Sequence, residues 1–173
     1  MTSRKHFFIK GEAPESEPLH YRQCGLENVF LLNGFDCETV DGEEHITIHN
    51  LDGLWKTIGL HIVLRQKTLA PQEVGFLRQQ MDLTQAELAK MLRVTDQTVA
   101  RWEKGDTAVN GTADFALRTA FLLSPTSQPE GRKILDELHR HIQELTDTDE
   151  DRPAKAVFAR KGRQWRPIHQ RAA

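Results

Sequence analysis

Hydrophobic positions between residues 71 and 123 recur at intervals of three and four, the spacing of amphipathic helices. The pattern predicts a helix over 71–81 that begins at Pro71, and a fourth helix over 113–123. Between them, the stretch 83–105 (LTQAELAKMLRVTDQTVARWEKG) predicts two short helices joined by a tight turn. The fourth helix is expected to bury Phe115, Leu117, Ala120 and Phe121. A fifth helix opens at Pro129, with an apolar face made of Ile134, Leu135, Leu138, Ile142 and Leu145.

Local signals mark where the two central helices begin. Thr84 and Glu87 have the spacing of a capping box, and Thr95 suits the N-cap of the second helix. Val99 and Trp102, three residues apart, are predicted to point inward. The residues left on the outer face are Gln97, Thr98, Arg101 and Lys104. A helix, a short turn and a second helix with a polar outer face is the helix-turn-helix pattern, whose second helix enters the DNA major groove.

Upstream, residues 29–48 change to short apolar runs separated by two turn signals. Asn33-Gly34 suits a type I′ hairpin turn, and Asp41-Gly42 marks a second turn. The two turns divide the apolar runs into three strands: 29–32, then 35–37 together with 39–40, then 46–48. We therefore predict a three-stranded antiparallel meander. A helix over 51–65, capped by Asn50, has an apolar stripe that is predicted to cover one face of these strands.

The C-terminal end is expected to form an acidic linker and then a basic segment. VFARKGRQWR has the pattern of a two-residue hairpin that turns at Lys161-Gly162 and places Phe158 opposite Trp165. This register would gather Arg160, Lys161, Arg163 and Arg166 into one basic strip. A disordered basic tail is an equally open interpretation.

These elements predict an α+β protein, with an N-terminal β-meander and helix followed by an all-α, repressor-like domain of five helices. The expected division is a flexible N-terminus (1–18), an α+β unit (19–66), a DNA-binding domain (67–146) and a linker with the C-terminal segment (147–173).

Composition narrows the class of protein. The chain has 173 residues, of which 38% are hydrophobic, and no apolar run approaches a membrane span or a signal peptide. Two cysteines do not make a disulfide framework, so a cytoplasmic location is expected. Lys+Arg against Asp+Glu is 6 to 5 over 67–105. Charge alone therefore does not indicate DNA binding, and the prediction depends on the motif.

The motif T-Q-x-E-L-A…V-T-x-x-T-V-x-R-W-E-K-G resembles the helix-turn-helix of Cro/CI-type (XRE) regulators. More narrowly, residues 76–123 are similar to the DNA-binding half of MqsA-type antitoxins, with F-L-R at the start and E-K-G after the second helix. The sequence departs from that pattern at Arg93, where the family usually has Gly in the turn. The resemblance implies an antitoxin that represses its own operon and binds a cognate toxin protein.

The position of each side chain predicts its role on double-stranded DNA. Gln97 and Arg101, four residues apart, are predicted to read bases, since Gln pairs with adenine and Arg with guanine. Asp96 either accepts from cytosine N4 or favours the helix dipole. The phosphate contacts are assigned to Gln85, Thr95, Thr98 and Lys104. One helix reads few base pairs, so a homodimer on a palindromic operator is expected, through 130–145 or the meander.

The sequence is compatible with two other functions. The chain is alternatively a stand-alone repressor whose N-terminal unit senses a ligand or dimerises, or a toxin-neutralising module without functional DNA binding. Enzymatic activity and a cofactor are not expected, because no nucleophile, P-loop or dinucleotide motif is present. Cys24, Cys37, His45 and His49 are candidate zinc ligands, but the chain lacks the paired C-x-x-C knuckles of the zinc module that the resemblance to MqsA-type proteins implies.

Overall fold

The computed structural model describes residues 18–40, 43–135, 137 and 155–168. Its architecture is mixed α+β, as predicted: N-terminal strands, then helices, then a C-terminal strand pair. The strands are β1 (Leu19–His20), β2 (Val29–Leu31), β3 (Phe35–Val40), β4 (Glu43–Ile48), β5 (Ala156–Lys161) and β6 (Gln164–Ile168). The helices are α1 (Leu51–Arg65), α2 (Pro71–Gln80), α3 (Gln85–Leu92), α4 (Asp96–Lys104), α5 (Gly111–Leu123) and α6 (Glu130–Leu135), with a 3-10 turn at Pro125–Ser127.

The main sheet differs from the predicted meander. Its order is β1-β2-β5-β6, with β2 antiparallel to β1 and parallel to β5. The predicted hairpin at Asn33-Gly34 is wrong: β2 and β3 do not pair, and a Cβ at Gly34 would lie 2.6 Å from Cη2 of Trp165. Gly34 therefore makes room for an indole ring from β6. The apolar β2 pairs instead with β5, whose residues 156–159 are all buried.

The second predicted hairpin is confirmed as a separate two-stranded sheet of β3 and β4. Its register places Phe35 opposite Ile48 and Cys37 opposite Ile46. The turn residues Asp41 and Gly42 lie outside the described part of the chain.

The C-terminal hairpin is confirmed, but its turn lies one residue later than predicted. Lys161 pairs with Gln164, so the two-residue loop is Gly162-Arg163, with Gly162 at φ 61°. Trp165 consequently faces Arg160, and Phe158 faces Pro167 rather than Trp165. The predicted basic strip is therefore divided, because Arg160 lies on the other face of the hairpin from Lys161 and Arg166.

Helix α1 joins the sheet to the helical part of the protein. It has the predicted bounds and cap, since the Asn50 side chain accepts a hydrogen bond from Gly53 N. Trp165 Nε1 donates to the carbonyls of His49 and Asn50, at 3.1 and 3.2 Å. On the other side, a Cβ at Gly59 would lie 2.3 Å from Cζ of Phe121 on α5. One hydrophobic core thus runs from the sheet through α1 into the helices.

The helices follow the predicted order. Pro71 begins α2, and α5 begins at Gly111, two residues earlier than predicted, because Asn110 caps it. The prediction that Phe115 is buried is wrong, since it is 47% exposed. The described part of the fifth helix is α6, and the predicted apolar positions Leu138, Ile142 and Leu145 lie outside the described residues. None of the described helices is both long and apolar enough to span a membrane.

Candidate nucleic-acid interface

The first helix of the motif, α3, begins with the predicted capping box. The Thr84 hydroxyl accepts from Glu87 N at 3.2 Å, and a Glu87 carboxylate oxygen accepts from Thr84 N at 2.8 Å. The Thr84 hydroxyl also donates to the Glu87 carboxylate at 2.8 Å. The two bonds that this carboxylate accepts, from the Thr84 amide and from the Thr84 hydroxyl, hold the pKa of Glu87 below its ordinary value. Two of the unpaired groups at the start of α3 are thereby satisfied by residues adjacent in sequence.

The turn between α3 and α4 is closed by Arg93 in a left-handed conformation, with φ 56° and ψ 41°. Val94 N then donates to Ala89 O at 3.0 Å, which completes the C-terminal cap of α3. A side chain at this conformation costs about 1–2 kcal/mol relative to glycine. Arg93, which replaces the glycine usual in the resembling family, therefore occupies a strained position.

The second helix, α4, is capped by Thr95 as predicted. Its hydroxyl accepts from Thr98 N at 3.2 Å and lies 2.8 Å from the Thr98 hydroxyl. Val99 and Trp102 are buried, at 0% and 3% exposure, and fix the inner side of the helix. The orientation of α4 follows from these two side chains.

The outer side of α4 carries Gln97, Arg101 and Lys104, all exposed. They are four and three residues apart, so they share the side opposite Val99 and Trp102. No ion pair or side-chain hydrogen bond engages the Arg101 guanidinium within the described ranges. Asp96 Oδ1 accepts from Gln97 N at 2.8 Å, at the positive end of the helix dipole.

A partly buried carboxylate connects α4 to α2 and α3. Glu103 accepts from Arg78 Nε at 2.6 Å and from Gln85 Nε2 at 2.8 Å. Burial raises the pKa of Glu103, but these bonds and the Arg78 charge together hold it below its ordinary value. Arg78 also donates to Leu83 O at 2.7 Å. No local spacing indicates this pair, because Arg78 and Glu103 lie 25 residues apart in the chain.

The structure thus places the predicted site residues on one motif. Asp96, Gln97, Arg101 and Lys104 lie on α4, while Thr95 and Thr98 form its cap. Gln85 lies apart from them at the first position of α3, where its amide donates to Glu103 at the far end of α4.

The candidate zinc ligands are not brought together. Cys24 is buried and donates to Tyr21 O, and burial raises the pKa of its thiol. Cys37 is exposed on β3, and His49 lies 2.6 Å from an Asp36 carboxylate oxygen. Across the part of the chain that the structure describes, no cluster of three or more His, Cys, Asp or Glu side chains has the geometry to hold a metal ion.

Comparison with known families agrees with this geometry. The helix-turn-helix family model matches residues 76–113, which include α3, the turn and α4. Neither a curated protein nor a solved structure is significantly similar to the chain. Residues 76–113 are thus similar to an XRE-type helix-turn-helix, and this match supports a DNA-binding transcription regulator, a class that is generally non-enzymatic.

Proposed function

We propose that this protein is a sequence-specific transcription repressor that reads operator bases with Gln97 and Arg101 of α4. The observation that carries the proposal is the exposed outer side of α4, where Arg101 has no protein partner among the described residues. Because guanidinium donors match guanine O6 and N7, Arg101 is the residue expected to give most of the discrimination. Asp96 has two proposed roles: it accepts a hydrogen bond from a base, or it stabilises α4 by its charge at the positive end of the helix dipole. Its bond to Gln97 N favours the second role.

The phosphate contacts are assigned to Gln85, Thr95, Thr98 and Lys104. Gln85 supports this assignment because Glu103 holds its side chain by one amide hydrogen, which leaves the other for a phosphate oxygen. Thr95 and Thr98 lie at the start of α4, where backbone N–H groups favour an anion. Lys104, exposed in the last turn of α4, adds a positive charge.

A homodimer on a palindromic operator follows from the small reach of one recognition helix. A single α4 contacts only a few base pairs, and such motifs pair on half-sites one helical turn apart.

The biological context that we propose is an antitoxin that represses its own operon and neutralises a cognate toxin. Its support is the resemblance of residues 76–123 to the DNA-binding half of MqsA-type antitoxins. Copurification of the product of a neighbouring gene would test this context. Stable DNA repression without any bound partner would favour the alternative, a stand-alone repressor.

A cleft of about 1070 Å³ favours that alternative, and it is lined by α1, the β5–β6 hairpin, the end of α2, the 3-10 turn and the start of α6. Trp55, His61, Arg163 and Trp165 are among its lining residues, so it offers aromatic and polar groups to a ligand. An effector that binds there and releases DNA would identify the protein as a sensing repressor.

The decisive experiment is footprinting on the protein's own promoter, followed by titration of Arg101→Ala against a panel of operator point variants. We expect a loss of about 1–3 kcal/mol on the cognate site, with discrimination relaxed at one guanine. A uniform loss over the whole panel would mean that Arg101 contacts phosphate only. Absence of any protected promoter site would overturn the proposed function.

A further inference from the structure

One groove on the helical part of the protein gathers the exposed apolar side chains. Met91, Phe115 and Leu123 are 50%, 47% and 54% exposed, and they are the large hydrophobic residues that lie open to solvent within the described ranges. All three line the same groove between α3, α5 and the 3-10 turn. Scattered exposed apolar residues need no explanation, but a shared groove marks an interaction surface.

The groove has no charged lining. Eleven residues line it and none is Asp, Glu, Lys or Arg, although these make up 28% of the chain. A DNA phosphate or a strongly charged protein surface that bound in the groove would be desolvated without gaining an ion pair, which is unfavourable. An uncharged apolar surface is complementary to another of the same kind, and two copies related by a two-fold axis supply that match.

The groove also lies close to the recognition helix. Met91 and Leu92 end α3 and line the groove, while Thr95, the N-cap of α4, follows three residues after Leu92. A partner seated on this surface would therefore be held at a fixed position relative to α4. A two-fold operator requires that relation, because its half-sites have a fixed spacing.

We propose that this groove is where a second copy of the chain binds, through Met91, Phe115 and Leu123, to form the operator-binding dimer. The proposal rests on the proposed function, since a palindromic operator supplies the need for two α4 helices. The groove's eleven residues compare with about 20–30 a side in a standard interface, so the dimer is expected to dissociate on dilution and to be completed by DNA.

The test uses the full chain and measures mass by sedimentation equilibrium, without DNA, over a range of concentrations. Leu123→Glu and Phe115→Glu change exposed positions, so each should fold, which circular dichroism and thermal unfolding will verify. The control is Gln79→Glu, which adds the same single charge on α2 at an exposed position outside the groove. We expect the dimer dissociation constant to rise at least about tenfold in both groove variants and to stay unchanged in the control.

Binding to DNA is measured separately, so that failure of the groove assignment can be distinguished from failure of the proposed DNA-binding function. Groove variants should lose affinity for the full operator and keep the wild-type affinity for a single half-site. Dimers that persist in both variants would overturn the groove assignment, while an intact footprint would leave the DNA-binding function standing. A wild-type monomer at every concentration, with and without operator, would also overturn it. So would variants that unfold at a lower temperature than the wild type at a dilution where the wild type is itself monomeric, because the chain itself would then occupy the groove.

Discussion

Arg118 on α5 donates a hydrogen bond of 2.6 Å to the carbonyl of Val63, near the end of α1. The same guanidinium donates to the carbonyls of Ile62 and Gln66 and forms an ion pair with Asp114. Arg118 is only 3% exposed, so these carbonyls have little access to water. The last carbonyls of a helix lack intrahelical partners. Arg118 therefore acts as the C-terminal cap of α1 and ties α1 to α5.

Arg118→Ala is expected to lower the free energy of unfolding by about 3–5 kcal/mol, because it removes the donor to Asp114 and to the carbonyls of Val63 and Gln66. Arg118→Lys should recover only part of this, since one ammonium group cannot reach the same set of carbonyls. Urea denaturation measures the change, with exposed Arg132→Ala on α6 as the control. A loss no larger than that of Arg132→Ala would show that the buried guanidinium does not stabilise the fold.

The Arg78–Glu103 ion pair predicts a pH dependence of stability. The pKa of Glu103 in the folded protein lies below its ordinary value of 4.5. The stabilisation is thus complete above pH 4.5 and is lost as the pH falls through the lowered value. Glu103→Gln should remove this part of the dependence, so that its unfolding free energy falls less steeply below pH 4.5 than that of the wild type. Parallel curves for the two proteins would contradict the assignment.

The left-handed turn residue Arg93 occupies a position where glycine is expected to be more stable than alanine. The left-handed conformation at φ 56° strains any residue with a Cβ. Arg93→Gly should therefore be more stable than Arg93→Ala, by about 1 kcal/mol after the greater freedom of glycine in the unfolded chain is counted. Chemical denaturation of the two variants isolates the Cβ, because both lack the guanidinium. Equal stability would mean that the turn relaxes to accept a side chain.

Removing the charge of Lys104 is expected to change the salt dependence of DNA binding. Lys104→Ala should weaken binding to all sequences alike and reduce the slope of log K against log salt concentration by about 1, because one fewer counterion is released. Lys133→Ala, an exposed lysine on α6, is the control and should leave the slope unchanged. If Lys104→Ala also keeps the wild-type slope, Lys104 does not contact a phosphate.

Much of the motif was predictable because its signals are local. A capping hydroxyl and the amide that it satisfies lie three residues apart, as in Thr84 with Glu87 and Thr95 with Thr98. The burial of Val99 and Trp102 follows from helical spacing alone. For the same reason the bounds of α1 and its Asn50 cap agree with the prediction. The roles of Gln97 and Arg101 on DNA stay predictions.

The tertiary structure decided which distant residues meet. An apolar strand pattern does not specify its partner, so β2 was expected to pair with β3 and instead lies between β1 and β5, which is far along the chain. Arg78 with Glu103 and Arg118 with Val63 are likewise contacts between helices that no local spacing indicates. Helical periodicity also predicted an inward Phe115, but no described element covers that position, and the ring lines an open groove. Local hydrogen bonds are thus determined by sequence, while pairing and exposure depend on which surfaces the folded chain brings together.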